Sequence, residues 1–487
     1  MSEKSENNLA IFKQPTLQLC LKCGLESNCF CDFEAKHVVC QTTKPYLIKT
    51  IKNVSTGEII FNEFPLIFGP RLDYKSNVKL CIGCCKHLFN ENKTDCPKCS
   101  LPFCSLDCDG FTSRHDFECS IFKLRQFDQN FKYCALVPLR TLFLQNTNVV
   151  QWQKIFDQFE VELSKDFILK NNDEIEQYVE QNFLIPLRQQ ENETKQIILE
   201  DKSKETLEKI IYFLQSNTHN DKDLIFFYPT ASLLKQSCTS NTTFTIENSK
   251  ITVRAISDIS EDTPLTCSYT NIFIGTHARI EDLKKINKTC FCARCNDPSE
   301  FGTFFSALKC IGTKQDSCGG NQLPVNPTNE ETLWVCNKCK IELPHKQIVQ
   351  FVKHLGGQLE KTLAKKVSIE ELEEFLGKLL MFLHPNHFYI FAVKNILIKL
   401  YGEESLATKI QICEELIEIV EKFEDGGLLL GKLLYELFVS KASILVENRN
   451  VEELTTIIEK MRKIGQVHQD RSFLQILQEA ESKFDSM

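Results

Sequence analysis

The chain has 487 residues, 24 cysteines and a formal net charge of −8, with 42% hydrophobic and 25% charged residues. Such a length corresponds to about three domains, and the composition supports a sizeable core, which excludes a disordered polymer. No apolar run approaches the ~20 residues that span a bilayer, and the opening residues lack the basic and apolar regions of a secretion signal. The acidic balance argues against a chain-wide nucleic-acid footprint. The expectation is a monomer of the cytoplasm or nucleus with no membrane partner.

In chain order, residues 46–68 are β-branched and aromatic around Ser55-Thr56-Gly57, which predicts a hairpin. A cysteine-dense block from Cys81 to Cys119 interrupts this pattern, and residues 120–220 read as largely helical. Strand character returns at Phe244–Ile246 and Ile251–Ile256, with Asn248-Ser249 as the turn, and cysteines resume from Cys290 to Cys339. From about residue 346 the pattern is helical. Ser368 and Glu371 resemble a capping box, and Leu372, Phe375, Leu376, Leu379, Leu380 and Leu383 then share one helical face. Segments near 388–400, 405–422, 428–446, 451–463 and 471–484 follow, joined by breaks such as Gly426-Gly427, which predicts about six antiparallel helices in a bundle or TPR-like array.

Cysteine is distributed unevenly: 23 of the 24 lie between Cys20 and Cys339. In a reducing compartment such clustering points to zinc rather than disulfides. Cys81-x2-Cys84, Cys96-x2-Cys99, Cys104-x3-Cys108 and His115-x3-Cys119 supply eight ligands for two closed tetrahedral sites, with the pairs interleaved and Cys85 left over. Cys310, Cys318, Cys336 and Cys339 suit an all-thiolate site around Gly319-Gly320. Cys20, Cys23, Cys29 and Cys31 are spaced either for a further site, with His37 and Cys40 as substitutes, or as a loose thiol cluster. Cys134, Cys267 and Cys413 remain as core thiols.

The run from Cys96-Pro-Lys-Cys99 through Phe103-Cys104-Ser105-Leu106-Asp107-Cys108 to His115-Asp-Phe-Glu-Cys119 resembles a MYND finger, with Phe111 near its usual Trp. A finger inserted in a split β-rich domain, followed by a cysteine cluster and a helical tail, resembles the SET-and-MYND (SMYD) family, in detail its arthropod SMYD-A type. The resemblance implies an α+β fold: a β-rich SET core split by the finger, a zinc-bound post-SET region and an all-α TPR-like C-terminal domain. The segments are an N-terminal cysteine-rich stretch (1–40), the first SET part (41–80), the finger (81–119), a helical insertion (120–225), the second SET part (226–283), the post-SET region (284–345) and the helical domain (346–487). Cys290-x-Cys292-x2-Cys295 matches the post-SET pattern, and the resemblance assigns its fourth ligand to Cys238. The four-cysteine set beginning at Cys310 also resembles the arthropod branch, after Asp297-Pro298 through Gly302.

Members of this family transfer a methyl group from S-adenosylmethionine to protein lysines, histones included. By resemblance, Tyr269 is the catalytic tyrosine, which shapes the lysine channel and polarises the amine, and Tyr46, Lys235, Gln236, Asn241 and Phe291 fall at or near cofactor-contact positions. The match is selective. Lys44-Pro45-Tyr46-Leu47 replaces the glycine-containing turn, and proline has a fixed φ and no N–H. Lys235-Gln236 replaces the Asn-His pair, Ile286 stands at the second channel tyrosine and Lys288 at the adenine-covering aromatic. Two readings follow: a lysine methyltransferase, or a silent adaptor in transcriptional regulation. The adaptor would bind proteins or proline-rich peptides through the finger and the groove beside the helical tail. Direct DNA binding is disfavoured, because residues 81–119 carry a net charge of −2 from Lys86, Lys93, Lys98 and Arg114 against six acids.

Overall fold

The computed structural model describes residues 38–40, 48–75, 79–88, 94–123, 128–147, 172–194, 203–312, 318–365, 367–424, 426–444 and 451–486. Cys20, Cys23, Cys29, Cys31 and His37 lie outside these residues, as does the 44–47 segment with Tyr46. The chain divides into two compact units. One comprises Met1–Lys49, Phe61–Leu234 and Thr245–Thr252; the other comprises Thr50–Ile60, Lys235–Phe244 and Val253–Met487.

In the first unit, two short hairpins, Lys79–Leu80 with His87–Leu88 and Thr94–Asp95 with Pro102–Phe103, each frame a C-x2-C turn. Cys85 and Ser100 close these turns with φ of 59° and 60°, donating their N–H groups to the carbonyls of Cys81 and Cys96. Helix Asp109–Phe122 follows, then helix Gln129–Thr147, which buries Tyr133, Leu136 and Leu139 against Leu80, Ile82 and Leu101. Arg140 fixes this packing. Its buried guanidinium pairs with Glu118 at 2.6 Å and donates to the Phe68 and Ile82 carbonyls, while Gly69 leaves the space that Val137 and Arg140 occupy. Strands Ile67–Pro70, Leu224–Phe227 and Thr218–Asp221 form an antiparallel sheet beside it.

The hairpin expected within residues 46–68 does not form. Ile48–Thr50 pairs with Val38–Cys40, and Ile59–Glu63 lies in a sheet with Lys250–Ala255 and Thr242–Glu247. The turn itself is present: Gly57 has φ +81° and the Glu58 N–H donates to the Ser55 carbonyl. Its flanks are claimed elsewhere, since Val54 bridges Ile259 and the Gly57 N–H donates to Ala255. The turn at Asn248-Ser249 does close a hairpin, both residues having the positive φ that a two-residue connection needs.

The second unit contains a four-stranded meander, Leu308–Lys309, Asn321–Pro324, Leu333–Cys336 and Glu342–Pro344, followed by helices. Among the described residues these are His345–Leu363, Ile369–Phe382, Phe388–Leu400, Leu406–Phe423, Leu428–Ile444, Val451–His468 and Arg471–Asp485. Ser368 and Glu371 form the expected reciprocal cap. Phe305, Leu308 and Trp334 belong to the same core as Ile348, Val352, Phe391 and Phe423, so the meander and the helices share one interior.

Candidate metal centres and the site beside them

Four groups of side chains converge: Cys81, Cys84, Cys104 and Cys108; Cys96, Cys99, His115 and Cys119; Cys238, Cys290, Cys292 and Cys295; and Cys310, Cys318, Cys336 and Cys339. Within each, all ligand atoms lie within 4.8 Å of one another. The finger pairs are interleaved, first with third and second with fourth. A tetrahedral zinc with Zn–S near 2.3 Å places its sulfurs about 3.8 Å apart. The Sγ separations match: 3.6 Å for Cys81–Cys104, 3.8 Å for Cys96–Cys119, 3.8 Å for Cys238–Cys290 and 3.5 Å for Cys318–Cys336. These are far beyond a disulfide bond of about 2.05 Å, and the described cysteines are free. Donor set and spacing both fit zinc.

Local structure explains the convergence. His115 Nε2 approaches Cys99 Sγ at 3.6 Å because its ring is stacked on Phe111, which in turn stacks on Phe103 at 3.8 Å. Cys238 follows the short strand Lys235–Gln236, which pairs in parallel with Thr266–Cys267. The other three ligands surround the short helix Ala293–Asn296. Cys85 is buried within the finger, and Cys134, Cys267 and Cys413 are buried thiols as expected.

Tyr269 is half-buried against the Cys238 group, as are Phe273 and Ile286. Gln236 is buried and spends both ends of its amide internally: Oε1 accepts the Tyr269 N–H at 2.8 Å, and Nε2 donates to Cys238 Sγ at 3.7 Å. Asn241 is equally committed, accepting from Thr266 N–H at 2.8 Å and donating to the Pro264 carbonyl at 2.9 Å. Lys288 places its ammonium 4.4 Å from the centre of the Tyr269 ring, a cation–π contact. Lys235 and Phe291 are exposed, Phe291 at 70%. Burial pushes the Cys267 thiol up to about 12, with the Tyr269 side chain hydrogen-bonded to it.

Sequence reasoning missed Arg279, Arg294 and Glu300, which are buried beside the Cys238 group. A usable signal existed for Arg279: it lies one helical turn before Leu283, which is fully buried. In the helical domain, a groove of about 380 Å³ opens between Leu406–Phe423, Leu428–Ile444 and Val451–His468, with Glu414, Glu418, Glu421 and Glu453 on its rim.

No family model matches the chain. Two isoforms of the SET domain-containing protein SmydA-8 of Drosophila melanogaster do: isoform B is 25% identical over 401 residues, spanning 79% of this chain and 86% of the fly protein. Isoform A is 24% identical over 408 residues, spanning 79% and 83%. The histone-lysine N-methyltransferase ASHR1 of Arabidopsis thaliana is 29% identical over 143 residues, 28% of each chain. Among solved structures, the SET domain of LSMT bound to lysine and AdoHcy aligns over 100% of this chain and 92% of its own, at 11% identity and a TM-score of 0.32. Taken with the split β core and the finger, the fly matches support an arthropod SMYD-A-like SET and MYND protein. No helix among the described residues is long and apolar enough to cross a membrane.

Proposed function

We propose that this chain is a zinc-stapled, non-catalytic SET–MYND adaptor whose methyl-transfer site has been converted to structural use. The observation that carries this reading is Gln236. At a position where the family contacts its cofactor, its amide instead ties the Tyr269 backbone to a metal ligand. Asn241 is bound to the Pro264 carbonyl and the Thr266 N–H, and Lys288 sits on the Tyr269 ring where an adenine-covering aromatic is expected. In the same reading, zinc fills the four clusters. All positions are then occupied by protein donors, so the metal is structural rather than catalytic. Protein partners would dock on the finger, where Leu106 is 69% exposed, and on the groove of the helical domain, whose glutamates Glu414, Glu421 and Glu453 are paired with Lys441 and Lys460.

The second reading, an active protein-lysine methyltransferase, is favoured by one observation: Tyr269 is retained two residues past the strand Thr266–Cys267, beside the metal cluster. Calorimetric titration of the zinc-loaded protein with S-adenosylmethionine separates the two. The adaptor reading expects no saturable heat up to millimolar cofactor. Saturable binding that Lys235→Ala or Tyr46→Ala abolishes would establish the enzyme instead.

A further inference from the structure

Helix Thr276–Lys285 carries Arg279, and the short helix Ala293–Asn296 carries Arg294. Both guanidiniums are 0% exposed, and they share one carboxylate, Glu300, which is 1% exposed. Arg279 Nη1 lies 3.0 Å from Glu300 Oε2, and Arg294 Nη2 lies 2.9 Å from the same oxygen. The Ser306 hydroxyl donates to the other oxygen at 2.5 Å. The remaining partners are neutral: the Ile274 and Ile272 carbonyls at 2.6 and 2.7 Å, and the Thr276 hydroxyl at 2.8 Å. Arg279 Nε meets no acceptor.

Two cations against one anion leave a positive charge buried, which is strongly unfavourable unless something compensates it. The group in reach is Cys295 Sγ, 3.6 Å from Arg279 Nη2. As a neutral thiol, Cys295 would offer a poor acceptor and no charge. As one corner of a zinc bound by four thiolates, it belongs to a centre carrying two negative charges. Separately, the arginines have one positive charge too many and the metal centre two negative. Together a single negative charge remains, spread over four sulfurs. We propose that Arg279 is the counterion of the metal–thiolate centre at Cys238, Cys290, Cys292 and Cys295, and that its charge holds the metal there.

Arg294 extends the arrangement outward. Its guanidinium carbon lies 3.3 Å from the centre of the Phe423 ring, and Phe305 packs on Phe388, Phe391 and Phe423. The residues that balance the metal therefore also anchor the helical domain, and Glu300 of the Asp297–Gly302 segment is their hub.

The inference rests on the reading that this cluster holds zinc. The test uses the full chain purified with zinc, scored by metal content and by the rate of zinc transfer to a chromogenic chelator. Arg279→Met is expected to lose about one zinc per chain or to release one roughly tenfold faster, in the range found for outer-shell substitutions. Arg279→Lys, which keeps the charge, should stay near the parent. Release from Arg279→Met at the parental rate overturns the proposal, as does Arg279→Lys failing equally, because geometry rather than charge would then matter. Should Arg279→Met not fold, the Cys238→Ser background decides. With the metal gone, Arg279 is uncompensated, so adding R279M should raise the melting temperature of C238S. A lowering overturns the proposal. Parental protein with the Cys238 group alkylated by iodoacetamide and one zinc short would instead refute the zinc reading beneath it.

Discussion

Three histidines, His277, His384 and His387, have their ionisation strongly shaped by the fold. Burial pushes His277 and His384 down to about 4, and His387, fully buried, well below its ordinary value. His387 Nδ1 accepts the Tyr389 N–H, so its proton sits on Nε2, which finds no acceptor. For His277, the ammonium of Lys353 and the neighbouring His345 reinforce the depression, whereas Glu281 and Glu300 oppose it. The sign follows from linkage: a base with a depressed folded pKa costs nothing above the unfolded value near 6.5, and stability then falls as pH drops toward 4 because the unfolded chain takes the proton first. For His277 the loss reaches about 2 kcal/mol by pH 5. Urea midpoints at pH 7 and pH 5 should therefore converge more closely in His277→Gln than in the parent. Equal slopes in the two proteins would show that the imidazole is not protonated in the unfolded chain alone.

At the scale of elements, two glycines in helices predict opposite outcomes. Replacing a helical glycine by alanine gains about 1 kcal/mol of propensity. On Gly377, in Ile369–Phe382, an added Cβ meets nothing within 4 Å, so Gly377→Ala should raise the melting temperature. On Gly431, in Leu428–Ile444, the same Cβ would stand 2.4 Å from a ring carbon of Phe473, which is 0% exposed and has nowhere to swing. Overpacking of that kind costs about 1–3 kcal/mol, so Gly431→Ala should lower the melting temperature and Gly431→Val lower it further. Matching shifts at both positions would contradict this packing. The helices themselves were largely readable beforehand, because a capping box and an i, i+3, i+4 stripe are local signals. The partner of Ile48–Thr50 was not: strand pairing is decided by residues distant in sequence, and a good turn at Ser55–Gly57 says nothing about which strands flank it. The metal groups were readable for the opposite reason, since ligand spacing is itself the constraint. The arginines behind them were harder to read: the spacing of Arg279 from Leu283 gave a hint, but a charged residue on a helix looks solvent-facing until its partners are known.

For the whole molecule, the four described clusters predict about four zinc ions per chain. They are not equivalent. Cys339 is exposed, whereas Cys96, Cys99, His115 and Cys119 are all buried. A chelator should take the first equivalent from the Cys310 group. The chain has two tryptophans, and Trp334, buried on the strand Leu333–Cys336 that ends at the ligand Cys336 and with its indole N–H on His345 at 3.2 Å, should report that loss as a change in emission. Release of all the metal in one phase, with emission unchanged until the end, would refute the ranking.

The distant ligand Cys238 has a consequence for how the chain acquires its shape during synthesis. The finger's ligands all lie within a short stretch and can be captured as soon as Cys119 has emerged from the ribosome. The other centre cannot close until 57 more residues have followed Cys238. A cross-link over such a loop removes chain entropy worth about 4 kcal/mol from the unfolded ensemble. With zinc as the bound metal, a nascent chain stalled between these two points would hold a finished finger and an open ring, so metal supply would act as a timing signal for assembly and not only as a brace for the finished protein.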